Sequence, residues 1–416
     1  MPRFKRIVVR IAFAATAVGL LALMIQMYLK FLLKDLQQEL LQTMGKIPTT
    51  SPAAFRTAAD EAQVAPTLWD HLCNDSHVSK FSGLLMMLDE EREMLSSPDG
   101  EYTLFAPIDD AFPLESFDWD LPEFYWLFLV QYHLVKGTFS MKDLEMRETL
   151  PTHIWADIYE SYSQRMSSQF TPEGSVRLNH RSTVIQPDVK ASNGYLHYVD
   201  RVIMLPGSTA DVLRYMPEFS TLREGLIHTE LATIVNDTSL HNGHTFFAPS
   251  NTAFQKLGPA VNHFLFSPWG KECLRALLEY HILGNQTLFT NSYFRANGRG
   301  PGQFHPISPG FEAALPTMIA PLHVNAAILE HESRGKITIN HAVDVVMPDI
   351  VVQDGVIHCI DDILLPPKTF SRPQQNDHRP PVWEMIRTGL FGPRKLTVEE
   401  LLERFEPYLT QGAEKT

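Results

Sequence analysis

Ile11 to Leu29 is an apolar run of 19 residues, broken only by Thr16, Gly19 and Gln26. At about 1.5 Å per residue, a helix of that length approaches the ~30 Å hydrocarbon core of a bilayer. The pattern then changes. Leu29, Leu33, Leu36 and Leu40 recur at spacings of four and three, which predicts an amphipathic stalk helix from Lys30 to Met44, ended by Gly45 and Pro48. Residues 46–66 are rich in Pro, Thr, Ser and Ala and read as a linker. Beyond them a finer pattern runs through the chain twice. Thr103-Leu-Phe105 and Thr245-Phe-Phe247, each followed by Ala-Pro, predict buried strands whose pairing proline ends. Asp109 and Asn251 follow at matching positions and are expected to cap the helix that comes next. Leu127–His133 and Leu274–His281 have helical spacing, with Gly137 and Gly284 as stops. Val176–Leu178 and Ile337–Ile339 alternate as strands, and Asn193-Gly194 and Asp354-Gly355 signal tight hairpins. Helices first and paired strands last is an α+β arrangement. Five prolines between 366 and 381 mark a second linker, and Thr397-Val-Glu-Glu400 opens a short helix to about Leu409 as a capping box.

The two passages are copies. Thr103-Leu-Phe-Ala-Pro-Ile-Asp-Asp-Ala-Phe112 returns as Thr245-Phe-Phe-Ala-Pro-Ser-Asn-Thr-Ala-Phe254, and Gln131-Tyr-His-Leu134 as Glu279-Tyr-His-Ile282. Val176-Arg-Leu-Asn179 returns as Ile337-Thr-Ile-Asn340, and Pro187-Asp-Val189 as Pro348-Asp-Ile350. Gly194-Tyr-Leu-His-Tyr-Val-Asp200 returns as Gly355-Val-Ile-His-Cys-Ile-Asp361. The order is kept while the offset grows, so the second copy carries insertions. A period this long is far beyond solenoid range, so the copies are whole domains. The expected organisation is a basic flank and anchor or signal over 1–34, and a stalk and linker over 35–64. Two domains follow over 65–207 and 208–367, the second with an inserted loop over 289–336. A proline-rich linker with a short helix closes the chain over 368–416.

Charge predicts which side of a membrane the body faces. Residues 1–34 hold Arg3, Lys5, Arg6, Arg10, Lys30 and Lys34 and no acid, so the rest is more acidic than the net charge of −13. An acidic body argues against nucleic acid as a partner. The basic flank precedes the apolar run, so a signal anchor through residues 11–33 leaves the body lumenal or extracellular, at the cell surface or vacuole. A cleaved signal is the rival reading; the pair Ala15 and Ala17 resembles a cleavage site but falls inside the run. An amphipathic mitochondrial presequence fits the run less well, because it is apolar all round. Three sequons, at Asn74, Asn236 and Asn285, sit in polar, turn-like stretches and suit a glycosylated body in the secretory pathway. The 3 cysteines form neither a disulfide framework nor a C-x-x-C pair.

The repeated blocks resemble the fasciclin (FAS1) domain. The resemblance rests on Thr-x-Phe-Ala-Pro-x-(Asp/Asn)-x-Ala-Phe, on Tyr-His, and on the closing Gly-x-x-His-x-(Ile/Val)-Asp block. It covers about residues 65–367, and the chain as a whole is similar to membrane-anchored or secreted two-domain fasciclin proteins of fungi. It implies two tandem domains, each a wedge of two β-sheets with flanking helices, acting as non-enzymatic, usually glycosylated adhesion or surface-interaction modules. In animal matrix members the Tyr-His motif and an Asp-Ile pair are implicated in integrin binding. Carried over, the partner-binding positions are Tyr132, His133, Tyr280, His281, Asp349 and Ile350, with Asp188 and Val189 as the departure in the first copy. The long stretches 139–174 and 289–336 match no compact member and are either specific to this protein or tolerated insertions.

The residues show little reaction chemistry of their own. There are 17 histidines, but Tyr132-His133 and Tyr280-His281 lack a neighbouring nucleophile and read first as buried, hydrogen-bonded structural pairs. His241-Asn-Gly-His244 lacks a third metal ligand, and His331-Glu332 lacks the second histidine of H-E-x-x-H. Asp109-Asp110 has Asn251-Thr252 as its counterpart, so a reaction needing both carboxylates fails in the second copy. No catalytic residue, metal or cofactor is expected. The expected role is a tethered or secreted interaction protein for a protein or carbohydrate of a surface, matrix or lumen; the stalk helix is only a weak signal for self-association. The alternative is a secretory-pathway or vacuolar enzyme, or a carbohydrate- or small-ligand-binding protein, with its site in the inserted loops.

Overall fold

A computed structural model of the chain describes residues 65–112, 123–154, 163–236, 243–297, 300–307, 310–331, 334–367 and 396–409. The apolar run 11–29, the stalk over 30–44 and most of both linkers lie outside the described residues. Among the described residues no helix is long and apolar enough to cross a membrane.

The first domain opens with three short helices, α1 (Leu68–Asn74), α2 (Ser79–Leu85) and α3 (Asp89–Ser96), then strand β1 (Tyr102–Pro107). Helix α4 (Glu123–His133) leads into β2 (Leu134–Lys136), α5 (Met141–Glu145), β3 (Thr149–Pro151), β4 (Arg165–Phe170), β5 (Val176–Leu178), β6 (Ser182–Ala191) and β7 (Gly194–Val199). The second domain repeats the plan. Its helices α6 (Thr209–Tyr215), α7 (Ser220–His228) and α8 (Leu231–Asn236) precede β8 (His244–Pro249), α9 (Asn251–Leu257), α10 (Pro259–Leu265), α11 (Lys271–Tyr280) and β9 (Ile282–Gly284). Strands β10 (Gln286–Leu288), β11 (Ser292–Asn297) and β12 (Gly300–Pro306) form a sheet of their own. Then come β13 (Phe311–Pro316), β14 (His323–His331), β15 (Arg334–Ile339), β16 (Val343–Val352) and β17 (Gly355–Ile360).

Strand order is β2-β1-β7-β6-β5-β4-β3 in one domain and β9-β8-β17-β16-β15-β14-β13 in the other, so the copies match strand for strand. The span 289–336, expected as an inserted loop, is therefore largely folded: β13 and β14 answer to β3 and β4, and the true addition is the three-stranded β10–β12 sheet. The wedge arises because β6 and β16 each serve two sheets. The start of β16 pairs with β15 and the rest with β17, with register shifts around Met347. The same shifts fall around Gln186 in β6.

Two local expectations change. The hairpin turns are Ser192-Asn193 and Gln353-Asp354, one residue earlier than read, because Ala191 pairs with Gly194 and Val352 with Gly355. The glycines open strands that run parallel to β1 and β8. A Cβ on Gly194 (φ +147°) would stand 1.7 Å from the Tyr102 carbonyl oxygen, and one on Gly355 2.3 Å from that of His244. The glycines are thus needed for close strand approach, not for the turn. The capping residues also act elsewhere. Asp109 accepts from the Lys80 amide (2.8 Å) and the Ser79 hydroxyl (2.7 Å), and Asn251 accepts from the Thr221 amide (2.9 Å). They cap α2 and α7, which lie upstream, while Ser250 caps α9 itself.

The domains share apolar core. Phe289, Phe294, Val351 and Val356 of the second domain pack in one buried cluster with Phe105, Tyr132, Val135 and Leu150 of the first. Around this seam the Thr149 hydroxyl donates to Asn291 Oδ1 (2.6 Å), Asn291 Nδ2 donates to the Thr149 carbonyl (3.0 Å), and Gln164 donates to the Val352 carbonyl (3.0 Å). The C-terminal helix α12 (Val398–Leu409) adds Leu401 and Phe405 to the core of the second domain, and Arg404 donates to the Pro366 carbonyl (2.9 Å).

Because Phe294 fills space inside the seam, Phe294→Ala should cost about 3–5 kcal/mol. It should also speed amide hydrogen exchange in β1 and β2 of the first domain. Faster exchange confined to the second domain would show that the cores are independent.

Candidate functional site

The Tyr-His motif ends α4 and α11, where helical spacing turns both rings inward. His133 and His281 are fully buried. In each, Nε2 accepts a backbone amide, from Ile203 (3.0 Å) and Leu364 (2.9 Å). The other nitrogen, Nδ1, must then carry the proton and donates to a carbonyl one helical turn back, Leu129 or Leu277, at 2.7 Å in both. The hydroxyl of Tyr132 donates to the Arg165 carbonyl (3.0 Å) and accepts from Asn179 (2.7 Å). That of Tyr280 donates to the His323 carbonyl (3.2 Å) and accepts from Asn340 (3.5 Å).

A second imidazole per domain has the reverse tautomer. At the bend of β6 and β16 a proline, Pro187 or Pro348, offers no N–H. The next residue, Asp188 (φ +62°) or Asp349 (φ +56°), is left-handed and turns its amide out of the ladder. That amide donates to Nδ1 of His197 or His358, at 3.1 Å in both. Nε2 then carries the proton and donates to the Phe139 (2.8 Å) or Leu288 (2.6 Å) carbonyl. His197 and His358 were not singled out from the sequence. Their signal was available, since both stand at the same place in the Gly-x-x-His block.

Burial of these rings disfavours the imidazolium. It pulls His133, His281 and His358 down to about 4, and His197 in the same direction. All four are therefore neutral near pH 7 and serve as fixed donor–acceptor bridges.

The Asp pairs diverge between the copies. Asp188 is exposed and accepts the Met141 amide (2.7 Å) at the start of α5, with Val189 half-buried beside it. Asp349 is buried where the domains meet, and Ile350 is buried in the core of the second domain. The Asp349 carboxylate accepts both the amide (3.1 Å) and the hydroxyl of Thr290. Burial raises its carboxyl to about 6, against the lowering by Thr290, Arg165 and Arg334. Of the eight partner-binding positions expected from the resemblance, Asp188 and Val189 are the ones on accessible surface. Tyr132, His133, Tyr280, His281, Asp349 and Ile350 are enclosed. Among the described residues no group of three or more His, Cys, Asp or Glu could hold a metal ion. The three sequon asparagines are exposed. Asn236 also accepts the Ala210 amide (3.0 Å), and Asn285 is left-handed between β9 and β10.

The pH dependence of stability follows. Histidines that stay neutral to about pH 4 when folded but protonate near 6.5 when unfolded stabilise the fold above 6.5, and that stability is lost as pH falls towards 4. Each of His133, His281 and His358 is worth on the order of 3 kcal/mol in this way. Asp349 acts in the opposite sense, because its raised carboxyl favours the fold increasingly as pH falls through 6. One carboxylate does not offset three imidazoles, so the urea midpoint should fall between pH 7 and pH 5. A flat or rising midpoint would contradict this. His281→Ala leaves the Leu364 amide and Leu277 carbonyl without their bridge and should cost about 1–3 kcal/mol at pH 7, measured by the same unfolding curves.

Known proteins share the repeated sequence pattern of this chain. The fasciclin domain model matches residues 76–206 and 217–366. The chain is 34% identical over 363 residues to aurofusarin biosynthesis cluster protein S of Gibberella zeae, covering 83% of this chain and 87% of that protein. It is 28% identical over 208 residues to a fasciclin-like arabinogalactan protein of Arthroderma benhamiae, covering 50% of this chain and 42% of that one. Human periostin is 25% identical over 280 residues, covering 64% of this chain and 28% of periostin. A solved FAS1 domain pair from the insect cell adhesion molecule fasciclin I aligns with 70% of this chain and 97% of its own, at 19% identity and a TM-score of 0.34. The chain belongs to the fasciclin family.

Proposed function

We propose that this fasciclin protein is a non-enzymatic adhesion or surface-interaction protein. Its body is lumenal or extracellular and glycosylated, tethered through residues 11–33 or released by cleavage of that segment. The observation that best supports the reading is how the motif residues are used. Tyr132, His133, Tyr280 and His281 spend their polar atoms on backbone groups inside the fold. A reactive site needs such atoms turned towards a substrate. Tyr and His of the motif thus act as internal supports for a surface, and that surface makes the contact. Asp188-Val189 is the proposed centre of the contact, because this bend is accessible in the first copy while its counterpart is enclosed at the seam. The tandem then presents one such contact per chain, and avidity comes from several chains on one membrane. The partner is a protein or carbohydrate of a surface, matrix or lumen.

A second reading draws on the Gibberella zeae relative, whose name places it in a biosynthetic cluster. Similarity over most of both chains supports a role for this chain in making a metabolite. Loss of the chain from its host would then change the metabolite profile, and an unchanged profile would remove this reading.

Asp188→Asn keeps an acceptor for the Met141 amide and removes the charge. It should weaken binding of the intact chain to host cell surfaces several-fold at an unchanged melting temperature. Unaltered binding would move the contact elsewhere. For the glycans, Thr287 of the third sequon is fully buried, so Asn285 must be modified before the domain closes. Protein from the host should lose mass on glycosidase treatment at Asn74, Asn236 and Asn285. Failure of any mass change would remove the lumenal assignment.

A further inference from the structure

At the seam between the domains lies a cavity of about 340 Å³, at the low end of the ~300–1,000 Å³ usual for small-molecule sites. The first domain contributes Glu148, Ser167, Phe170 and Arg177, and the second contributes Arg334 and Asp349. Neither domain alone contains it.

The lining specifies a ligand. Two guanidiniums and several carboxylates meet there, so neither sign of charge dominates and a neutral molecule fits better than an ion. Arg334 spends Nε (3.1 Å) and one terminal nitrogen (2.9 Å) on the Glu145 carbonyl, which fixes the plane of its head group. Glu148 spends Oε1 on the Gly335 amide (2.6 Å), which fixes its carboxylate in the same way. The wall therefore carries preorganised donors and acceptors side by side, the pattern that hydroxyl groups satisfy because each both donates and accepts. Ser167 is 1% exposed, lines the cavity, and its hydroxyl has no hydrogen-bond partner among the described residues. A buried polar atom left unpaired costs free energy that a bound group recovers. Phe170, 44% exposed, supplies an aromatic face at the same opening. We propose that the inter-domain cavity binds a neutral ring bearing several hydroxyls, its flat side on Phe170 and its hydroxyls on Ser167, Arg334 and Glu148. A saccharide and a polyphenol share this chemistry.

Calorimetric titration of the intact chain with maltose and, separately, with catechin distinguishes the two sources. At least one is expected to bind with one-to-one stoichiometry. Phe170→Ala, at a half-exposed position, and Ser167→Ala, which removes the unpaired hydroxyl, should leave the free protein folded with a single cooperative melting transition. At least one of them should lower the affinity fivefold or more. Maltose binding alone identifies a sugar site, catechin binding alone a polyphenol site, and binding of both the shared chemistry. The proposal is overturned if neither compound binds the unaltered chain, or if both variants bind as it does.

Discussion

The long bent strand of each domain depends on an amide that leaves its ladder. Within the β6–β7 and β16–β17 ladders, just past the pairing with β5 or β15, proline offers no N–H and the following aspartate turns its own away from the partner strand. An amide so released inside a core costs free energy unless something accepts it. A neutral imidazole accepts it in each domain and passes the bond on to a carbonyl of the segment after β2 or β9. The second histidine does the same between the end of α4 or α11 and the segment after β7 or β17. Four rings thus bridge backbone groups at the places where regular pairing stops. Only a neutral ring can do this, since the imidazolium has two donors and no acceptor.

Fusion of the two cores alters how the tandem is to be understood. Phe289 and Phe294 sit in apolar contact with the first domain, and the Asp349 bend is enclosed at the same seam. Duplication has therefore not produced two equal contact surfaces. One copy of the bend faces solvent and the other braces the junction. The junction in turn creates a polar cavity that belongs to neither copy. A surface-interaction role and a small-molecule role are compatible, because Asp188 and Val189 do not line the cavity.

Much of this was legible in the sequence for a physical reason. Strand, helix and bend residues recur in order, so each copy checks the other. The strands at Thr103 and Thr245, the helices ending at Tyr132-His133 and Tyr280-His281, and the α+β order could be read from periodicity and breakers. The domain seam could not. Phe289 and Phe294 read as part of an insertion, since nothing local marks a side chain that serves a neighbouring domain. Asp109 and Asn251 were recognisable as capping types, but which helix they cap is a tertiary fact, settled by Lys80 and Thr221 some thirty residues upstream. Gly194 looked like a turn former because Asn-Gly is a turn signal. Its actual constraint is the Tyr102 carbonyl on a parallel strand. Asp188 and Asp349 looked equivalent, and only packing separates the exposed one from the buried one.

The central claim is that four histidines are locked as neutral bridges of two opposite tautomers. Nitrogen-15 chemical shifts of the imidazoles in the folded chain test it directly. At pH 7, His133 and His281 should be protonated on Nδ1 alone, and His197 and His358 on Nε2 alone; at pH 5.5 the single-tautomer state should persist for His133, His281 and His358. Averaged tautomers at pH 7, or ring protonation of His133, His281 and His358 near pH 6.5, would contradict the account.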